Sequence, residues 1–246
     1  EGWGDVKVPV ADLTGTVEAT PAEVRLLSVR GVHGGREVSL EGLVRDPGGA
    51  GLLDLTLRTT GFPLDEGARG ILGPVADRLE GYFSSVRPGE GLRADATVRL
   101  TGPASNLEPT VALENIAGPA APQGLREFAF QGGSARYEAG LLSIEGLRGT
   151  MGDRELTVAA GNLRFDRGEG VLRVELRRLR FPADLVGLIP GDAAASIEEV
   201  IPGRFIHVEG LEVALSRGWR QVELRGTVSL SPQREEGTCP AVLCAS

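Results

Sequence analysis

Apolar and polar residues alternate with period two through much of this chain, and that pattern constrains the fold more than any other feature of the sequence. Val38, Leu40 and Gly42 alternate with Ser39 and Glu41, and Leu53, Leu55 and Leu57 with Asp54, Thr56 and Arg58. Ala96, Val98 and Leu100 alternate with Thr97 and Arg99, and Val111 and Leu113 with Ala112 and Glu114. The pattern returns at Leu156 and Val158, at Leu172, Val174 and Leu176, at Val213 and Leu215, and from Val222 through Leu224, Gly226 and Val228 to Leu230. Successive side chains of a strand point to opposite faces, so each run buries one face and wets the other, the habit of antiparallel sheets. Short turn signals separate the runs: Gly34-Gly35, Asp46-Pro47-Gly48-Gly49, Gly102-Pro103, Gly152-Asp153, Asp166-Arg167-Gly168 and Arg217-Gly218. They predict hairpins joined in a meander. Glycine makes up 36 of the 246 residues, about twice its usual share, and such turns give the excess a use.

Two stretches depart from period two. Between Leu64 and Phe83, Ile71, Val75, Leu79 and Phe83 recur at every fourth position, one face of a helix that Gly67, Gly70, Gly73 and Pro74 would kink or divide. A second helical pattern runs from Ala183 to Ile201, interrupted at Pro190-Gly191. The fold class expected is therefore mainly β: a long antiparallel, curved sheet, taco-like or an open sandwich, made of meander units with two or three short helical insertions.

The chain also repeats itself. Leu27-Ser28-Val29-Arg30-Gly31 resembles Leu142-Ser143-Ile144-Glu145-Gly146, Gly34 to Leu40 resembles Gly152 to Val158, and Phe62-Pro63 is matched by Phe181-Pro182, at offsets of 115, 118 and 119 residues. Residues 1–120 are read as a first meander and helix unit, 121–230 as a second continuing the same sheet, and 231–246 as a disordered tail. A strand pair beginning near His207 shares the style without forming a third copy. A sheet this long must cover its apolar face with another sheet, with its own curvature, with the helices, or with something apolar that is not protein.

Composition removes several classes of function. Basic residues number 26 against 34 acidic ones, a net charge of −8, and Lys7 is the single lysine, so nucleic acid is not an expected partner. Aromatics are only 4% of residues, few platforms for stacking bases or sugars. No apolar run approaches the roughly 18 residues of a spanning helix. Cys239 and Cys244 sit too late to staple the fold; they either close a small terminal loop or belong to a frayed tail, and they lack companion ligands for a metal. His33, placed in a glycine hairpin and expected to be exposed, and His207, at a strand start, leave little for acid and base chemistry. No Gly-x-Ser-x-Gly elbow occurs, and Gly48-Gly49-Ala50-Gly51 lacks the lysine and context of a phosphate loop. Glu198-Glu199 and Glu235-Glu236 are adjacent and point apart. Arg58, Arg99, Glu114, Arg173, Glu175, Arg177, Glu223 and Arg225 are expected to form cross-strand pairs on the wet face. The expectation is of no enzyme, with no catalytic residue, cofactor or metal.

The run from Ala94 to Asn115, with its strand, Gly102, Asn106-Leu107-Glu108-Pro109 and second strand, resembles a phrase of AsmA-like and TamB-like envelope proteins, members of the bridge-like lipid-transfer β-groove superfamily. Gly61-Phe62-Pro63-Leu64-Asp65 and Arg87-Pro88-Gly89-Glu90-Gly91 are similar to other phrases of that group. The likeness covers residues 12 to 230 in style and these phrases in detail. It implies a fragment of a large inner-membrane-anchored protein facing the periplasm, whose curved sheets form an apolar groove that moves phospholipid between membranes. Lacking a leader or anchor, the chain is expected to be one section of that groove, with the membrane reached only through an anchor outside it and with flanking β units as partners. Periplasm or cell envelope follows from the resemblance alone. Leu53, Leu55, Leu57, Val98, Leu100, Val111, Leu113, Leu172, Val174 and Leu176 would then solvate acyl chains while headgroups stay in water. The alternative is a structural or adhesive β-repeat module of a surface or secreted protein with no lipid ligand, in which the same residues are ordinary core.

Overall fold

The computed structural model describes residues 10–33, 35–49, 51–64, 86–88, 91–122, 128–152, 154–180, 205–218 and 221–231. They form thirteen strands: β1 (Ala11–Ala19), β2 (Glu23–His33), β3 (Arg36–Arg45), β4 (Leu52–Pro63), β5 (Val86–Pro88), β6 (Arg93–Pro103), β7 (Glu108–Pro122), β8 (Phe128–Glu138), β9 (Leu141–Met151), β10 (Arg154–Arg164), β11 (Glu169–Arg180), β12 (Phe205–Ser216) and β13 (Gln221–Ser231). Twelve lie side by side in chain order in one open antiparallel sheet, and the short β5 pairs with the end of β7. Among the described residues there is no second sheet and no helix. The helical patterns at 64–83 and 183–201 lie, after Leu64, outside the described residues, as do Cys239, Cys244, Glu198-Glu199 and Glu235-Glu236. β13 runs to Ser231, and the rest of the tail, 232–246, lies outside as well.

The hairpins fall at the turn signals, except that Gly102 and Pro103 end β6 and the turn into β7 follows them. Asp46 carries the β3–β4 turn, its carbonyl accepting from the amides of Gly49 and Gly51. One tight turn carries no strong sequence signal: Ala139 and Gly140 join β8 to β9 with both φ values positive, 47° and 81°, the conformation that matches strand twist.

Residues opposite one another in a ladder share a face, so the registers can be followed across the sheet. One row runs through Leu40, Leu57, Val98, Val111, Tyr137, Leu142, Leu163, Gly170 and Leu215. The next runs through Val38, Thr59, Ala96, Leu113, Ala135, Ile144, Gly161, Leu172 and Val213. The opposite face reads Ser39, Arg58, Thr97, Ala112, Arg136, Ser143, Asn162 and Val171 along one such row. The core is thus one continuous face, closed most tightly at Ala94, Tyr137, Val111 and Phe62, each at most 3% exposed.

The registers also align the two halves strand by strand. β1 to β4, β6 and β7 correspond to β8 to β11, β12 and β13, and the special backbone positions recur with them. Ser28 and Gly146 lie 118 residues apart with φ of 54° and 56°, and Gly61 and Arg178 lie 117 apart with 57° and 58°. Gly15 and Gly133, also 118 apart, are positive at 151° and 121°, and a methyl group on either would collide with the backbone Cα of Val29 or Leu147, again 118 apart. This corrects the offset of 115 read from the sequence, which matched Val29 with Ile144. In the ladder Leu26 corresponds to Ile144 and Val29 to Leu147, and the bulges that hold Ser28 and Gly146 fall at the same point of the two halves. The boundary drawn at 120/121 falls inside β7, two residues before its end at Pro122.

Gly133 has no room for a side chain and sits mid-sheet, so Gly133→Ala is expected to lower stability by roughly 2 kcal/mol or more, read as a reduced midpoint in thermal or urea unfolding. An unchanged midpoint would show that Gly133 is not pressed against the backbone of Leu147.

Candidate functional site

The apolar face is the largest chemically uniform surface the strands create. The register puts all ten groove candidates on it. Leu53, Leu55 and Leu57 of β4 lie opposite Gly102, Leu100 and Val98 of β6, and Val98 lies opposite Val111. Leu113 and Leu172 share a row through Ala135, Ile144 and Gly161. Val174 and Leu176 follow along β11, opposite Val158 and Leu156. Their environments differ: Val98 and Val111 are 4% and 3% exposed, while the other eight are half-buried, with Leu57, Leu100, Leu113 and Leu172 packed against the core.

Two features of this face were not signalled by the sequence. Gly161 sits beneath Leu172, whose Cδ2 occupies the space a methyl group on Gly161 would need, and Gly170 is overlain by Leu163 in the same way. Glycine here lets leucines of neighbouring strands close over the sheet, a use separate from turns. The second feature is Thr59, 4% exposed on the apolar face, whose Oγ1 has no hydrogen-bond partner among the described residues. The equivalent position in the second half is Leu176, which fills the place without a polar atom.

The polar face carries a shallow open depression of about 630 Å³, lined by Arg25, Glu41, Asp54, Arg58, Arg99 and Arg136 among others. Each of its four arginines is paired: Arg25 with Glu23 at 2.7 Å, Arg58 with Glu41, Arg99 with Asp54 at 2.9 Å and Arg136 with Glu138 at 3.0 Å. Exposed pairs of this kind contribute little, in the range of about 0–1 kcal/mol each, and leave no unpaired arginine among the described residues that line it. Arg58–Glu41 and Arg99–Asp54 bridge neighbouring strands as expected. Arg225–Glu223 and Arg177–Glu175 instead join residues two apart on one strand, side chains that the period of two places on the same face.

Asp95 of β6 ties three strands together. Its carboxylate accepts from the Gly61 amide of β4 at 2.8 Å and from the Asn115 side-chain amide of β7 at 2.7 Å. Gly61 and Asn115 are both bulge residues at positive φ, 57° and 53°, so one side chain fixes two irregularities of the ladder. The hydrogen bond from Asn115, then that from Gly61, holds the Asp95 carboxyl below the ordinary aspartate range. The hydrogen bond from Arg99, outweighing a small desolvation cost, does the same for Asp54.

His33 is half-buried, its ring stacked on Phe62 with centroids 6.5 Å apart, which corrects the expected exposed hairpin histidine. The expectation failed because Phe62 of β4 reaches across β3 to the end of β2. His207 lies in β12 opposite Ser229 and is half-buried. Among the described residues no three of His, Cys, Asp and Glu are grouped to hold a metal ion, and no helix is long and apolar enough to cross a membrane. Comparison with protein-family models, curated proteins and solved structures finds no match.

Thr59→Val is expected to raise stability by about 1 kcal/mol, because it removes an unsatisfied buried hydroxyl at nearly constant shape. A loss of stability would mean that the hydroxyl is hydrogen-bonded. Asp95→Ala is expected to cost about 1 kcal/mol at neutral pH. Both lowered aspartates favour the folded state when ionised, so their contribution is whole above the unfolded value of about 3.9 and fades as pH falls through their lower folded values. The double variant Asp54→Asn, Asp95→Asn should therefore unfold in acid with a shallower pH slope below about pH 4 than the parent chain, and an identical slope would remove both groups from the account.

Proposed function

We propose that this chain is a lipid-binding groove segment of an AsmA-like or TamB-like envelope protein involved in phospholipid transport between membranes. In this reading the sheet curves around its apolar face, taco-like, with short helical insertions between β4 and β6 and between β11 and β12. The observation that carries it is a single open sheet of twelve strands in which two rows of the apolar face can be followed through nine neighbours, β3 to β12 with β5 aside, with no second sheet among the described residues to cover them. The phrases at 94–115, 61–65 and 87–91 supply the family and, through it, the periplasm or cell envelope as its place.

The mechanism is passive. Half-buried aliphatic side chains such as Leu53, Leu55, Leu172, Val174 and Leu176 contact acyl chains, each methylene leaving water contributing about 0.8 kcal/mol. Headgroups stay at the rim in water, so no charged residue needs to enter the apolar face. Hydrophobic contact is non-directional, which suits a surface along which a lipid slides better than one that holds it at a point.

The tight closure of Val98, Val111, Ala94 and Tyr137 favours the second reading, a structural β-repeat module whose apolar face is simply core. Lipid extraction and native mass spectrometry of the purified chain separate the two. The lipid reading expects co-purified phospholipid, and Leu55→Arg with Leu172→Arg should cut its amount several-fold while the strand signal in circular dichroism persists. A folded chain free of lipid that also fails to take up a fluorescent fatty acid would sink the lipid reading and leave the structural module.

A further inference from the structure

The two halves of the sheet meet at the β7–β8 ladder, which shows how an edge of one half pairs with an edge of the other. Val111 lies opposite Tyr137, Leu113 opposite Ala135 and Ala112 opposite Arg136 across it. β8 is the second-half equivalent of β1, at a constant offset of 118 that places Ala135 on Val17, Arg136 on Glu18 and Tyr137 on Ala19, since these face Ile144, Ser143 and Leu142 as Val17, Glu18 and Ala19 face Leu26, Arg25 and Val24. β13 is likewise the equivalent of β7: Leu113 faces Ala96 and, beyond it, Thr59, while Val228 faces Val208 and then Leu176. The offset there is 115, which places Gly226 on Val111 and Thr227 on Ala112.

Among the described residues β1 and β13 are each paired on one side only. The consequence is visible in burial. Ala135 in β8 is partly buried against the core, whereas its equivalent Val17 in β1 is 55% exposed, the same position with and without a neighbour on its outer side.

We propose that the β13 edge of one molecule pairs antiparallel with the β1 edge of a second copy, in the register of the β7–β8 junction. Val228 then lies opposite Val17 of the second molecule, Gly226 opposite its Ala19 and Thr227 opposite its Glu18, and both apolar rows continue across the boundary. Arg225, exposed on β13, sits diagonally across from that Glu18, an opposite-charge neighbour within reach of long side chains. Each molecule has one edge of each kind, so the contact is heterologous and head-to-tail and extends the sheet rather than closing a dimer. This inference does not rest on the lipid reading, which would place flanking β units on the same two edges: a chain that binds phospholipid and stays monomeric keeps that reading and overturns this one.

Sedimentation velocity of the purified chain over a concentration series tests it. The expected result is a mass that rises with concentration in steps of one chain. Val17→Lys, at an exposed position, blocks the β1 edge, and Val228→Lys blocks the β13 edge; where the second fails to fold by circular dichroism, Arg225→Glu, also exposed, replaces it. Each variant alone should be monomeric, and an equimolar mixture should stop at a dimer, because each partner brings one intact edge. A parent chain that stays monomeric at every concentration, an oligomer that either edge variant leaves unchanged, or a mixture that forms no dimer would each overturn the proposal.

Discussion

The backbone ladder is the constraint on which the rest of this structure depends. An antiparallel strand must pair its amides and carbonyls with its neighbours, and once it does, every side chain is assigned to one of two faces with no freedom left. With one face apolar along rows that cross nine strands, a slip of a single residue would turn Leu53, Leu55 and Leu57 into water and Asp54 and Arg58 into the core. Register is therefore held by devices that cannot slide. Bulges at Ser28, Asn115, Gly133 and Gly146 lock φ in the left-handed half of the map, and the Asp95 carboxylate ties the bulges at Gly61 and Asn115 to the strand between them.

Those same devices decide what the sequence reveals. β3, β4, β6 and β13 read clearly because their apolar residues keep period two nearly throughout. β1, β2 and β8 do not, although they are regular members of the sheet. In β2, Leu26 and Val29 share a face with two residues between them, so the bulge at Ser28 makes the run Leu26-Leu27-Ser28-Val29 look like no strand at all. In β8 the pair Gly132-Gly133 does the same and removes side chains besides. The hairpin at Ala139-Gly140 stayed hidden because alanine at positive φ is uncommon and carries no turn signature. On the apolar face the leucines and valines were legible and Thr59 was not, since a threonine in an alternating strand is ordinary until its neighbours Val38 and Ala96 show that it faces inward.

Glycine illustrates how one residue type serves two physical ends in this sheet. At the hairpins it tolerates positive φ. On the apolar face it does something that composition cannot show: it leaves a gap that a leucine from the next strand fills, as Leu172 does over Gly161 and Leu163 over Gly170. A sheet packed against another sheet gains its contacts across the layer. Here part of that contact is made sideways, within the layer, and this is how side chains as far apart in sequence as Phe62 and Leu163 belong to one buried cluster with no second sheet among the described residues.

The comparison of the two halves separates what this fold must keep from what it can vary. Kept are the backbone positions: Gly15 with Gly133, Ser28 with Gly146, Gly42 with Gly161, each at an equivalent register point. The side chains on the apolar face vary in size and at one position in polarity, with Thr59 against Leu176, Ala19 against Tyr137 and Leu57 against Val174. A pocket that recognised one ligand by shape would not survive such exchanges, because a single methylene matters at a close-fitting wall. A surface that acts through area alone does survive them, provided that the strand path and the division of its faces are unchanged. The pattern of what the halves share is that of a surface defined by its geometry and its apolar character, which is the requirement of a groove for acyl chains and of a repeating core alike.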